Sequence, residues 1–391
     1  MAHLTVNDCF YQIRNGANIK QGDADGGYPI TRIETISNDV FNRDRMGYAG
    51  ITDLTKYESY VLEDGDLLMS HINSVQYLGR TVLYEKQGDE KIIHGMNLLG
   101  LKANRSIVKP AFARYAFYSP KFRQQLRRIT KKSVNQASFT VADLKKIEID
   151  VPSLEKQAHI VENLDKTKRI LALRRQEIEV LDALIKARFV EMFGDPISND
   201  KGWNTDPLTA VCSRIYGGGT PSKSHPEYFE GSIPWVSPKD MKSDVITDSI
   251  DHITEEAIAN STTNLVPEGS VLMVIRSGIL KHDLPVSINA VPVTINQDMK
   301  AFVPGENITA SFLRNYFKAI ELDVLAGVRG VTADNIDFKA FQQRKIIVPP
   351  IHLQEEFEDF CRQVDKSKVA VQKSLDETQL LFNSLMQKYF G

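Results

Sequence analysis

Cysteine is scarce: three in 391 residues, Cys9, Cys212 and Cys361, far apart and without a C-x-x-C pair. That spacing excludes a disulfide scaffold or a zinc ribbon, and predicts three small buried apolar side chains in a reducing, cytoplasmic setting. No apolar run approaches a membrane span, and the opening MAHLTVNDCF lacks the blocks of a signal peptide, so no membrane partner is expected. A phosphate-binding loop is also missing. YGGGTPSKS at 216–224 comes near, but Ser222 stands where the second glycine of a Walker loop belongs. Pro221 removes one N–H donor, and Pro226 bars a clean helix start. What remains is a Gly-rich turn that lets backbone approach something closely. The only Pro-Pro, in Val348-Pro349-Pro350-Ile351, lacks the acid or amide and the aromatic ring of an adenine-methylation motif. Eight histidines are scattered without Ser, Cys or carboxylate partners at recurrent spacing. No catalytic, cofactor-binding or metal-binding residue is therefore expected.

What is present is the composition of a soluble globular protein, 42% hydrophobic and 25% charged. The length calls for two or more domains. The net charge of −2 is uneven. Residues 1–150 hold 21 basic and 17 acidic side chains, whereas 196–348 hold 14 and 18. Within 102–132 there are ten Lys or Arg and no acid, the strongest local charge signal in the chain.

The chain also repeats itself. Leu154-Glu155-Lys156-Gln157 through Asp165-Lys166-Thr167-Lys168 returns as Leu353-Gln354-Glu355-Glu356 through Asp365-Lys366-Ser367-Lys368. A strand-like run ending in proline precedes each copy, at Ile147–Pro152 and Ile346–Pro350, and Phe-Gly ends each, at 193–194 and 390–391. Tyr28-Pro29-Ile30 echoes Ile233-Pro234-Trp235, and Gly65–Met69 echoes Gly269–Met273. The order is variable block, long segment, variable block, long segment, with boundaries at 1–152, 153–194, 195–349 and 350–391.

Both long segments are helical by period. Ile160, Leu164, Thr167, Leu171, Arg174, Ile178, Leu181, Ile185, Arg188 and Met192 step by 4 and 3. Phe357, Cys361, Val364, Lys368, Val371, Leu375, Thr378, Phe382, Leu385 and Tyr389 do the same. Such stripes predict helices over 154–193 and 351–390, each up to about 58 Å, packed along their length. The variable blocks mix short β runs with helices expected at 110–129 and 310–326, and Trp235 is expected to pack in a core.

These residues resemble the specificity subunits of Type I restriction-modification enzymes, over essentially the whole chain. The match is carried by Gly217-Gly218-Gly219-Thr220-Pro221-Ser222, by Gly231-Ser232-Ile233-Pro234-Trp235-Val236-Ser237-Pro238-Lys239-Asp240-Met241, and by Val348-Pro349-Pro350 leading into Gln354. In the first half Gly26-Gly27-Tyr28-Pro29-Ile30 and Asn15-Gly16-Ala17-Asn18 are looser counterparts. The resemblance implies an α+β fold. Two pseudo-repeated α/β target-recognition domains, each reading half of a split double-stranded DNA target, are separated by two long antiparallel coiled-coil-like helices. It implies no catalysis and no cofactor in this chain. Two methyltransferase subunits would dock on the helices, and restriction subunits would join them. S-adenosylmethionine, ATP and Mg2+ would belong to those partners. The stripe residues Ile160, Leu164, Leu171, Ile178, Leu181, Ile185, Phe357, Val364, Val371, Leu375, Phe382 and Leu385 are the candidates for spacing and docking.

DNA binding needs cations for phosphates and side chains that reach base edges. Lys121, Arg123, Arg127, Arg128, Lys131 and Lys132 run into Ser133-Val134-Asn135-Gln136, which supplies charge and amides for adenine edges. The plainer alternative is a solvated helix face. In the second block the corresponding loop is 327–335, where glycines flank Arg329, with Arg276, Lys281, Lys223 and Lys239 as further candidates. Competing functions are a fused catalytic subunit, whose motifs are absent, and a coiled-coil scaffold that ignores DNA.

Overall fold

A computed structural model describes residues 2–22, 26–134, 136–328 and 334–391. The chain forms two compact units, 1–174 with 374–391, and 175–373.

The first unit is built on Leu67–Ser70, four residues buried on both faces, as a short uninterrupted apolar run predicts. It sits third in a four-stranded antiparallel sheet, after Phe10–Asn15 and Leu98–Ala103 and before Thr81–Leu83. The second unit repeats this with Cys212–Gly217, Met299–Pro304, Val271–Val274 and Val286–Asn289, and adds Val245–Ile246 parallel to the last. A left-handed glycine precedes each central strand, Gly65 with φ 86° and Gly269 with φ 76°. The Tyr28-Pro29-Ile30 echo also lands on equivalent backbone: Ile30 lies parallel to Ile93, and Trp235 parallel to Thr294. Trp235 is half-buried against Phe229 and donates from Nε1 to the Gly219 carbonyl at 3.0 Å. All three cysteines are buried and free.

The expected helices 110–129 and 310–326 are each two pieces. Pro120 has no N–H to give the ladder, and the Ser119 hydroxyl accepts from the Phe122 N–H at 3.1 Å. The chain therefore ends one helix at Phe117 and starts another at Pro120. The second pair, Ala310–Ala319 and Glu321–Ala326, breaks at buried Ile320, whose backbone leaves the helical region (φ −94°, ψ 7°).

The long helices run Leu154–Phe193 and Ile351–Phe390, 40 residues each, or about 60 Å. Every residue of the two 4-3 stripes is buried or half-buried. Ile160 and Leu164 enter the first unit's core with Phe390; Ile185 enters the second with Phe357, Cys361 and Val364. Within the second unit the helices run antiparallel, since Lys368 meets Asp182 at 2.7 Å and Arg188 meets Glu356 at 2.8 Å. Gly194, at φ 76°, ends the first helix with its N–H on the Val190 carbonyl at 2.8 Å. Among the described residues no helix is long and apolar enough to cross a membrane.

The echo between the long segments is real, but its register differs from the one read in the sequence. Gln157, fully buried, accepts from the Lys109 N–H at 2.8 Å and donates to the Ile107 and Pro152 carbonyls at 2.9 and 2.8 Å. Gln354 does the same with the Thr309 N–H at 3.0 Å and the Asn307 and Pro349 carbonyls at 3.0 and 2.8 Å. The structure thus matches Gln157 to Gln354, not to Glu356. Counted from these glutamines, Lys168 falls opposite Asp365, about one turn before Lys368, so the two lysines still share a face. Similar letters were displaced by one helical turn, which amphipathic periodicity tolerates.

Candidate nucleic-acid interface

The basic segment of the first unit folds as a helix followed by a ribbon. Phe122 and Leu126 anchor Pro120–Ile129 in the core, while Arg127 and Arg128 are exposed. Lys131–Lys132 then pairs with Ala137–Ser138, which pairs with Ile72–Asn73, giving a three-stranded ribbon with both lysines exposed. The Ser133 N–H and hydroxyl both reach the Gln136 carbonyl, at 2.8 and 2.9 Å, leaving the exposed Gln136 side chain available. Among the described residues Arg127, Arg128, Lys131 and Lys132 carry no ion pair. Asn135 lies outside the described residues.

Arg123 does not belong with them. Its guanidinium donates to the Leu78 carbonyl at 2.7 Å and stacks 4.8 Å from the Tyr118 ring centroid, so it is spent inside the fold. Lys121 is likewise tied to Asp150. Three-to-four residue spacing turns one side of a short basic helix inward, and net charge alone does not reveal which cations lie there. Arg123→Ala is expected to cost about 1–3 kcal/mol by orphaning the Leu78 carbonyl. Lys131→Ala with Lys132→Ala should leave stability unchanged and lower the salt slope of DNA binding by about 2. Thermal melts and a gel-shift salt series measure both; an unaltered slope in the lysine variant would remove the ribbon from the interface.

In the second unit the equivalent backbone holds Arg276, which bridges Asn335 as Ile72 pairs with Ser138. The Ile336 N–H bonds the Ile275 carbonyl at 2.9 Å, just as that of Phe139 bonds His71 at 3.2 Å. Arg276 is pinned by Asp298, Nε to Oδ1 at 2.6 Å, and Lys281 lies 3.8 Å from Asp334. Arg329 lies outside the described residues. Lys239 is paired with Asp251, and Lys223 is exposed in a turn closed by Ser222 and Ser224; both stand on elements separate from Arg276. The glycine run has a packing reason. A Cβ on Gly218 would sit 1.8 Å from the Asn296 carbonyl oxygen, and one on Gly219 2.4 Å from the Thr262 hydroxyl. The next residue, Thr220, bonds Gln297, beside the Asp298 that holds Arg276. The run therefore seats a turn next to a candidate base reader.

The sequence pattern did not single out the largely exposed segment Ile72–Tyr77, whose first two residues form the third strand of the basic ribbon. Extending the Gly65–Met69 echo by a few residues sets Ile72 and Asn73 against Arg276 and Ser277, and would have found it.

Two buried histidines back the first unit's sheet. His94 donates from Nε2 to the Leu98 carbonyl at 2.9 Å, and burial is the main reason its pKa falls to about 4, with the charges of Arg14, Lys102 and His71 adding to it. His71, packed edge-on to Phe139, is also lowered by burial. An unfolded histidine binds a proton below about pH 6.5, whereas folded His94 resists until about 4. Stability is thus full above that range and falls as pH drops through it, by about 1.4 kcal/mol per unit. His94→Gln, which keeps a donor for Leu98, should flatten the dependence of Tm on pH between these values. The same slope in the variant would contradict a neutral buried His94.

Among the described residues no three His, Cys, Asp or Glu are placed to hold a metal ion. The family model of the Type I restriction modification DNA specificity domain matches twice, over residues 7–183 and 200–378. The Escherichia coli EcoR124I/EcoR124II specificity subunit is 36% identical over 230 residues, which is 56% of this chain and 56% of that protein. The putative MjaX specificity subunit of Methanocaldococcus jannaschii is 26% identical over 92% of this chain and 85% of its own length. Among solved structures, the S subunit from M. genitalium shares the fold with a TM-score of 0.59 at 14% identity, covering 100% of this chain and 96% of that one. A chain from work on assembly and conformational transition of the type I system gives 0.60 at 18%, covering 100% and 97%. With the specificity-domain model spanning most of its length in two copies, the chain belongs to the Type I restriction-modification DNA specificity family.

Proposed function

We propose that the chain reads a split duplex DNA sequence, one half per domain, for a Type I restriction-modification complex. In the first domain Arg127, Arg128, Lys131 and Lys132 hold phosphates, and Gln136 with the loop Ile72–Tyr77 reaches bases. In the second, Arg276 and Lys281 occupy the matching position. The observation that carries this is the duplication: each unit ends its central strand in an exposed segment paired to the backbone after a second loop. The long helices set the gap between half-sites and dock two methyltransferase subunits, which restriction subunits join. S-adenosylmethionine, ATP and Mg2+ act in those partners, in the cytoplasm, and this chain contributes position rather than chemistry. Docking cannot use the stripe itself, whose side chains face inward; the most exposed large apolar residues of the helices, among them Leu173, Val180, Val190, Val369, Leu380 and Leu381, lie off it.

Replacing residues 1–152 with the block of another family member should change one half of the methylated sequence and leave the other intact. Mapping methylated adenines in a host carrying each version reads the result. Two altered halves would overturn the one-domain, one-half assignment, and no DNA affinity at any salt would favour a scaffold.

A further inference from the structure

The duplication contains one pocket twice, and the copies differ in charge. In the second unit a cavity of about 670 Å³ is lined by Asp182, Phe189, Asp244, Arg314 and Lys318. Lys186 on its wall carries no ion pair among the described residues, but Lys318 pairs with Glu321 at 2.9 Å and the cations beside Asp244 are neutralised from within. Arg314 pairs with Asp244, and Lys368 reaches Asp182 at 2.7 Å and Asp244 at 3.0 Å. In the first unit the matching cavity of about 570 Å³ is lined by Arg114, Tyr115, Tyr118, Lys168, Phe382 and Met386. Counted from the two buried glutamines, Gln379 stands where the second unit has Asp182. Asp39 takes the place of Asp244, but its carboxylate is occupied by the Tyr118 hydroxyl at 2.7 Å and by Arg80 at 3.2 Å. Among the described residues Arg114 donates only to the Asp39 carbonyl, at 3.2 Å. Among the described residues neither Arg114 nor Lys168 carries an ion pair. Lys168 lies 5.8 Å from the Tyr115 ring centroid, and desolvation, then the charge of Arg114, lowers its pKa.

We propose that the first unit's pocket is a socket for a carboxylate side chain, Asp or Glu beside an apolar residue, presented by a protein subunit docked on this chain. The proposal rests on the docking reading above and adds its chemistry. The second unit shows the complement, since carboxylates sit there on Arg314, the counterpart of Arg114, and on Lys368, one turn beyond the position of Lys168. The Phe382, Met386 and Tyr115 walls suit an apolar neighbour and not a hydrated phosphate backbone. Two identical partners would then be held unequally, the first through a salt-sensitive contact and the second where the cations beside Asp244 are already paired.

The test uses the full chain with the methyltransferase subunit of its host, titrated by calorimetry and native mass spectrometry between about 0.05 and 0.5 M salt. Arg114→Gln with Lys168→Gln should weaken one of two sites by about 10- to 100-fold, the range of one or two charge-assisted hydrogen bonds, and flatten its salt response. In the parent complex Lys168 should be protected from acetylation. If the double variant folds poorly, Lys168→Gln alone should weaken that site and Lys168→Arg restore it. Unchanged affinity with Lys168 equally reactive would overturn the socket while leaving docking intact. No uptake of methyltransferase by the parent chain would overturn docking itself. Loss of DNA affinity without the partner, with docking unchanged, would make the pocket a phosphate contact and sink the proposal.

Discussion

Phe189→Ala should destabilise the second unit by about 3–5 kcal/mol, the range for deleting a fully buried aromatic ring. Phe189, Phe193, Phe312 and Phe357 are each at most 1% exposed. Their ring centroids lie 5.1 Å (Phe189–Phe193), 5.5 Å (Phe189–Phe312) and 5.6 Å (Phe189–Phe357) apart, with Phe193–Phe312 at 4.9 Å. These are tilted or edge-on pairs, which contribute beyond their buried area. The ring joins both long helices to the helix Ala310–Ala319, so the cavity left by alanine has rigid walls and collapses little. Denaturant unfolding of the purified chain measures the loss. A cost below about 1 kcal/mol would mean that the cluster is not the junction described.

The second large effect is expected at the two glutamines. Gln354→Leu keeps the volume but strips the Thr309 N–H and the Asn307 and Pro349 carbonyls of their partner. At about 1–3 kcal/mol for each buried orphan, the cost is about 3 kcal/mol or more. Gln157→Leu strips three equivalent groups and should cost the same to within about 1 kcal/mol. Hydrogen exchange of segments 107–117 and 307–319 localises each loss to its own unit. A large cost at one glutamine and none at the other would refute the structural equivalence on which the internal repeat rests.

The amino-acid sequence by itself determined the long helices to the residue, because 40 positions without Pro or Gly and an unbroken 4-3 stripe admit little else. It also determined the duplication, the two apolar central strands after Gly65 and Gly269, and the burial of all three cysteines. These are local matters of period, turn chemistry and hydrophobicity. Phe189 and Phe193 escaped it because a stripe predicts one packed face, whereas a helix also covered by its domain buries a second. Tertiary structure alone decided which cations remain free. Arg123 is consumed by the Leu78 carbonyl and Lys368 by Asp182 and Asp244, and Arg276 is held in place by Asp298, while among the described residues Lys131, Lys132, Arg114 and Lys168 carry no ion pair. The partners lie tens to more than a hundred residues away in sequence. Charge composition counts cations; only the fold brings to some of them the carbonyl or carboxylate that uses them up.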